Sequence, residues 1–202
     1  MAEQDVEAVA ALADPTRRRV YHAVAARAGT VGRDDVAREV GIGRTLAAFH
    51  LDKLAEAGLL DFYFERGPAG GRPAKVYRRS ASEMTVSVPP RSYVDAAELL
   101  AEAVEKAGAD LVLHSVAEQH GRKAKPGDMW EALRERGYEP CREDGVIKLR
   151  NCPFHRLAEE FPPLVCGMNL ALLTGLAKGG KWKVRLEMRP EKDRCCVVME
   201  EK

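Results

Sequence analysis

The residues of this chain best suited to chemistry are its five cysteines, Cys141, Cys152, Cys166, Cys195 and Cys196, all of which follow residue 140. Thiolates are soft ligands that suit zinc, copper(I) and iron–sulfur clusters. Cys152 and Cys166 stand fourteen positions apart in LRNCPFHRLAEEFPPLVCGMN, with His155 three after the first. No zinc-ribbon CxxC pair is present, so these thiols can meet only through the fold. Cys195 and Cys196 are adjacent in RCCVVME, a predicted strand on which neighbouring side chains face opposite ways. Cys195 then shares the inner face with Val197 and Met199, and Cys196 the outer face with Glu200, so at most one of the two joins Cys152 and Cys166. Free cysteine is also among the most buried residue types, so core packing competes at every position, most of all at Cys141. His155 reads first as a surface or capping residue and only second as a ligand.

A different constellation lies upstream. VAREVGIGRTLAAFHLDKLAEAGLL has the layout of a helix-turn-helix. Val36, Ala37, Val40 and Ile42 pack against a second helix whose inward positions are Ala47, His50, Leu51 and Leu54, at i, i+3, i+4 and i+7. Arg44, Thr45, Ala48, Phe49 and Asp52 are left facing outward, and such a face suits the major groove, where an Arg reaches guanine and an apolar group a thymine methyl. The segment RGPAGGRPAK carries Arg66, Arg72 and Lys75 among glycines, the composition of a wing over phosphates or a minor groove. His50 is read as a structural residue.

The elements that must position these groups follow from periodicity and punctuation. Residues 5 to 28 read as one helix or two, entered at Asp14-Pro15-Thr16. A short helix over Asp34–Val40, a turn at Gly41-Ile42-Gly43 and a helix from Arg44 to about Glu56 come next. DFYFERG and AKVYRRS then form a hairpin around the tip Gly67–Pro73. Val88-Pro89-Pro90 is a linker. Residues 92 to 120 form a long amphipathic helical region with Ala97, Leu100, Ala101, Val104, Leu111 and Val112 among its apolar positions. From Asp128 the pattern predicts a helix over Met129–Arg136, two short strands around Gly145, helical turns broken at Pro162-Pro163, a helix over Leu164–Ala177, and strands in KWKVRLEM and RCCVVME.

These elements make an α+β protein of 202 residues. It has a winged helix-turn-helix DNA-binding domain over 1–80, a helical linker and dimerisation region over 91–125, and a cysteine-containing α+β sensor domain over 126–202. The net charge of +1 is uninformative, but from Asp14 to Arg79 there are 13 basic against 8 acidic residues, a local +5 that permits contact with phosphates. No run of about 18 apolar residues could span a membrane. MAEQDVEAVAALA lacks a basic n-region, so a cytoplasmic location is expected, where thiols stay reduced. Enzyme chemistry finds no support. Lys178-Gly179-Gly180-Lys181 lacks the spacing of a phosphate loop, and no Ser/His/Asp order or GxGxxG stands out.

LADPTRRRVYHAV and HLDKLAEAGLL resemble the opening helix and the end of the recognition helix of ArsR-like winged helix-turn-helix regulators. The order from GYEPCREDGVIKLRNCPFHRLAEEFPPLVCGMNLALLTGL to RCCVVM is similar to a group of ArsR-like regulators that includes the SufR-type repressors of iron–sulfur cluster assembly. The resemblance implies a homodimeric repressor of double-stranded operator DNA, modulated by a cysteine-ligated iron–sulfur cluster of the 4Fe-4S type. Cys152, Cys166 and either Cys195 or Cys196 would ligate it, with Cys141 or His155 as fourth ligand. Zinc, or no metal at all, is the alternative. In the rival reading the cysteines are structural, and Phe154, Phe161, Trp130 and Trp182 line a pocket for a hydrophobic organic effector.

Overall fold

The computed structural model describes residues 3–27, 29–66, 73–80, 84, 86–191 and 194–202. They divide into two compact units, Met1–Arg91 and Ser92–Lys202. The helical region expected to link two domains therefore belongs to the same unit as the cysteine-bearing segment.

The first unit opens with two helices, α1 (Glu3–Ala11) and α2 (Pro15–Ala25). Asp14 caps α2, its carboxylate accepting the Arg17 backbone N–H at 2.7 Å, and Pro15 supplies the φ a first helical turn wants. A two-residue strand, β1 (Val31–Gly32), leads into α3 (Arg33–Val40). Gly41, at φ 72°, ends α3 in the left-handed region and sends the chain into α4 (Arg44–Glu56). The wing is β2 (Leu60–Glu65) with β3 (Ala74–Arg79), and β3 lies between β1 and β2 in an antiparallel sheet. Val20, Val24, Val36, Leu51, Leu54 and Tyr77 are among the side chains that close the core. Burying a Leu or Val of this kind contributes about 1.5–3 kcal/mol.

The second unit begins with α5 (Tyr93–Lys106) and α6 (Asp110–Ala124), followed by α7 (Met129–Glu135). The hairpin of β4 (Pro140–Glu143) and β5 (Val146–Leu149) turns at Asp144 and Gly145, both at positive φ, which is the Asp-Gly geometry that matches strand twist. The helices α8 (His155–Glu160) and α9 (Pro162–Gly180) precede β6 (Val184–Met188) and β7 (Val197–Glu201), and the antiparallel sheet order is β4-β5-β7-β6. Leu173, Leu176 and Ala177 of α9 join Ile147, Leu149, Val197 and Met199 of the sheet in one core.

Several expectations change here. The helical region over 92–120 consists of two helices, α5 and α6, parted at Gly108, φ 60°. Of its six expected apolar contact positions only Ala101 is buried. α6 packs on α9 through small residues: a Cβ on Gly175 would overlap the Glu118 carbonyl, and one on Gly121 the Leu172 carbonyl. Close approach of two backbones, rather than interlocking of large side chains, sets this contact, so Leu111 and Val112 are left outside, 82% and 64% exposed. The break expected at Pro162-Pro163 is present: α8 ends at Glu160 and Pro162 opens α9, because the first turn needs no N–H donor. Cys195 and Cys196 precede β7 instead of lying on it, so alternation does not separate them and both are buried.

Candidate DNA-reading face and thiol site

On α4 the inward set Ala47, His50, Leu51 and Leu54 is buried, as the spacing dictates. Arg44, Thr45 and Phe49 are exposed, and Ala48 and Asp52 are half-buried. Arg44 Nε sits 2.8 Å from Asp34 Oδ1 at the start of α3. Both partners are more than half exposed, so the pair is weak and leaves Arg44 free to turn to a base. Asp52 has a different occupation. It accepts from Lys75 Nζ at 2.6 Å and from the Tyr77 hydroxyl at 2.8 Å, tying α4 to the wing. Burial of Asp52 is outweighed by the Lys75 and Tyr77 hydrogen bonds, which hold its carboxyl below the usual range. Lys75 also lies 4.0 Å from the Phe62 ring centre, so two groups expected on the DNA also brace the reading helix to the wing. Arg66 is exposed, and Arg72 lies outside the described residues.

Leu46 on α4 and Phe64 on the wing, which the sequence reading did not single out, are also exposed, 45% and 67%.

In the second unit four of the cysteines share one core, with Cys195 and Cys196 inside it and Cys152 and Cys166 packed against it. Backbone register does the assembly: the Cys195 N–H donates to the Leu149 carbonyl at 3.0 Å, bringing the RCC segment beside the end of β5, three residues before Cys152. A carboxylate reinforces it. Glu143 accepts from Arg150 at 2.8 Å and from Arg194 at 2.5 Å, and these arginines precede Cys152 by two residues and Cys195 by one. The two guanidiniums, Arg194 foremost, draw the Glu143 carboxyl down to about 2.

Within this frame the Cys152 thiol lies within hydrogen-bonding reach of Cys195, and Cys195 within reach of Cys196. Asn169, only 1% exposed, donates Nδ2–H to the Cys195 sulfur at 3.2 Å, while its Oδ1 accepts the buried Tyr138 hydroxyl at 2.5 Å. The Tyr138 bond orients the amide, so its N–H faces sulfur. The hydrogen bond to Cys195, together with burial, pushes the Cys152 thiol far up. For Cys195 the bond from Cys152 pulls down, but the bond to Cys196 and burial outweigh it and push the thiol up to about 11. Asn169 and Tyr138 escaped the sequence reading because nothing in their local pattern marks a partner 26 or 31 residues away.

The other candidate ligands lie elsewhere. Cys141 on β4 donates to Glu143 at 3.4 Å, and burial raises its thiol. His155 pairs with Glu159 at 3.3 Å on the exposed side of α8. Thiols in one apolar core suit an iron–sulfur cluster in kind, and among the described residues no three His, Cys, Asp or Glu side chains are already grouped to hold a metal ion. Trp130, Phe154 and Trp182 pack against the core, and the Trp182 N–H is spent on the Gly127 carbonyl at 3.0 Å.

Residues 12–61, about a quarter of the chain, match the helix-turn-helix domain family. The first unit carries a helix-turn-helix domain. No curated protein sequence matches the chain. The domain points to a DNA-binding regulator rather than an enzyme, and no helix among the described residues is long and apolar enough to cross a membrane.

Proposed function

We propose that this chain is a transcriptional repressor of the ArsR-like type that binds double-stranded operator DNA as a homodimer. The observation that carries the reading is the outward face of α4 in a helix-turn-helix domain, with Arg44, Thr45 and Phe49 exposed and the helix braced to its wing through Asp52. Ala48 lies between them, and Arg66 reaches from the wing to phosphate. The homodimer is supported by the apolar faces of α5 and α6, on which Leu99, Leu100, Leu111 and Val116 are between 58% and 82% exposed. A second copy would cover them and set two reading helices on a two-fold symmetric operator. Selection of preferred duplexes from a random pool by the full chain tests the reading.

The second unit serves as the sensor, acting by favouring one placement of the reading helices over another. The cluster implied by the resemblance is the effector proposed for it. It would be held by Cys152, Cys166 and Cys195 or Cys196, with a fourth donor brought in. The thiols packed against one core support it, and it requires Cys166 to turn onto the Cys152–Cys195 pair. Anaerobic reconstitution with iron and sulfide tests this: a cluster gives a brown protein whose visible absorption is lost in Cys152→Ser, and a colourless, iron-free product refutes it.

A further inference from the structure

A buried asparagine costs stability unless both ends of its amide are bonded. Here both are, and one bond goes to sulfur. The Cys195 sulfur receives the Asn169 Nδ2–H at 3.2 Å, and the Cys152 thiol lies within hydrogen-bonding reach of the same atom. Two separate devices hold the cysteines together. One is the Cys195 N–H to Leu149 carbonyl bond at 3.0 Å, and the other is the Glu143 carboxylate gripping Arg150 and Arg194. Plain core packing asks for none of this, since a small apolar residue would fill the space as well. The two residues also differ in access: Cys195 is 3% exposed, whereas Cys152 is half-buried.

We propose that Cys152 and Cys195 form a reversible dithiol–disulfide pair, with Cys152 the sulfur that meets a hydroperoxide and Cys195 the sulfur that resolves it. In the first step the Cys152 sulfur attacks a peroxide oxygen. An S–O bond forms, the O–O bond breaks, and the departing hydroxide takes the thiol proton as water, or as an alcohol from an organic hydroperoxide. In the second step the Cys195 sulfur attacks the Cys152 sulfenic acid. The S–S bond forms, the S–O bond breaks, and hydroxide leaves with the Cys195 proton as a second water. Two thiols are oxidised by two electrons, and the peroxide is reduced by two. The Asn169 amide stabilises negative charge on the attacking Cys195 sulfur.

The pair needs neither the cluster nor the operator, so its test is independent of both. The full chain, reduced and freed of iron by chelation, is treated with excess hydrogen peroxide, alkylated in denaturant and digested with trypsin without reduction. Cys152 then lies in NCPFHR and Cys195 in CCVVMEEK. The expected product is these two peptides linked, lighter by two hydrogens than their sum, with fragmentation placing the bond on Cys195 and dithiothreitol restoring both thiols. A link from Cys152 to Cys166 or Cys196 would overturn the proposal, as would a sulfinic acid at Cys152 or two thiols that remain fully alkylatable.

Discussion

Glu143 holds the two cysteine-bearing segments with a single carboxylate, and its depressed pKa makes that grip a stability term. A carboxyl whose folded value is about 2 against an ordinary 4.5 contributes stability fully present above 4.5 and lost as pH falls through about 2. Allowing for solvent at a partly exposed site, the contribution is about 1–2 kcal/mol. Both tryptophans of the chain, Trp130 and Trp182, lie in the second unit, so their fluorescence follows that unit alone. Urea titrations read this way between pH 5 and pH 2.5 should show the native chain losing stability more steeply than Glu143→Gln; parallel slopes would remove Glu143 from that role. At this scale the sequence was legible in part. The inward set of α4 follows from i, i+3, i+4 spacing alone. Asp52 was placed on the outward face of the second helix and Lys75 in the wing, but their attraction to each other, 23 residues apart, is not a local property. The ordering of Cys152, Cys195 and Asn169 is set by strand register, which residue types do not encode.

The contact of α6 with α9 depends on glycine at the elements' crossing. Large apolar residues on 92–120 suggested a surface that packs, and the helix instead turns its small face to α9 because only there can the backbones approach. Hydrophobic periodicity misses such a contact, since the glycines carry no apolar side chain to count. Gly175→Ala forces a methyl into the Glu118 carbonyl of a packed partner. That overpacking should cost at least about 2 kcal/mol in the tryptophan-detected urea transition. Gly127→Ala, with nothing within 4 Å of the added carbon, should stay within about 0.5 kcal/mol. Equal small effects would mean that the two helices part easily. The hairpin at Asp144-Gly145 was the opposite case: a turn dipeptide between short apolar runs fixes its own geometry, and the expected strands are found there.

Over the whole molecule, a helix-turn-helix unit and a thiol-bearing unit divide the chain at Arg91. The first was legible because helix, turn, helix and wing follow one another within about 80 residues and each carries its own signal. The second was legible as an α+β element list, but its cysteine cluster required strands and helices far apart in sequence to be assembled. The account rests on DNA reading by α4. Its most direct test is selection from random duplexes by the full chain, followed by affinity measurements of native protein and Arg44→Ala on the recovered site at one fixed salt concentration. Two-fold symmetric sites with half-sites about one helical turn apart are expected. Arg44→Ala should bind that site roughly 10–100-fold more weakly, the loss of one bidentate guanine contact. Recovery of no preferred sequence, or equal affinity of the two proteins for the recovered site, would contradict it.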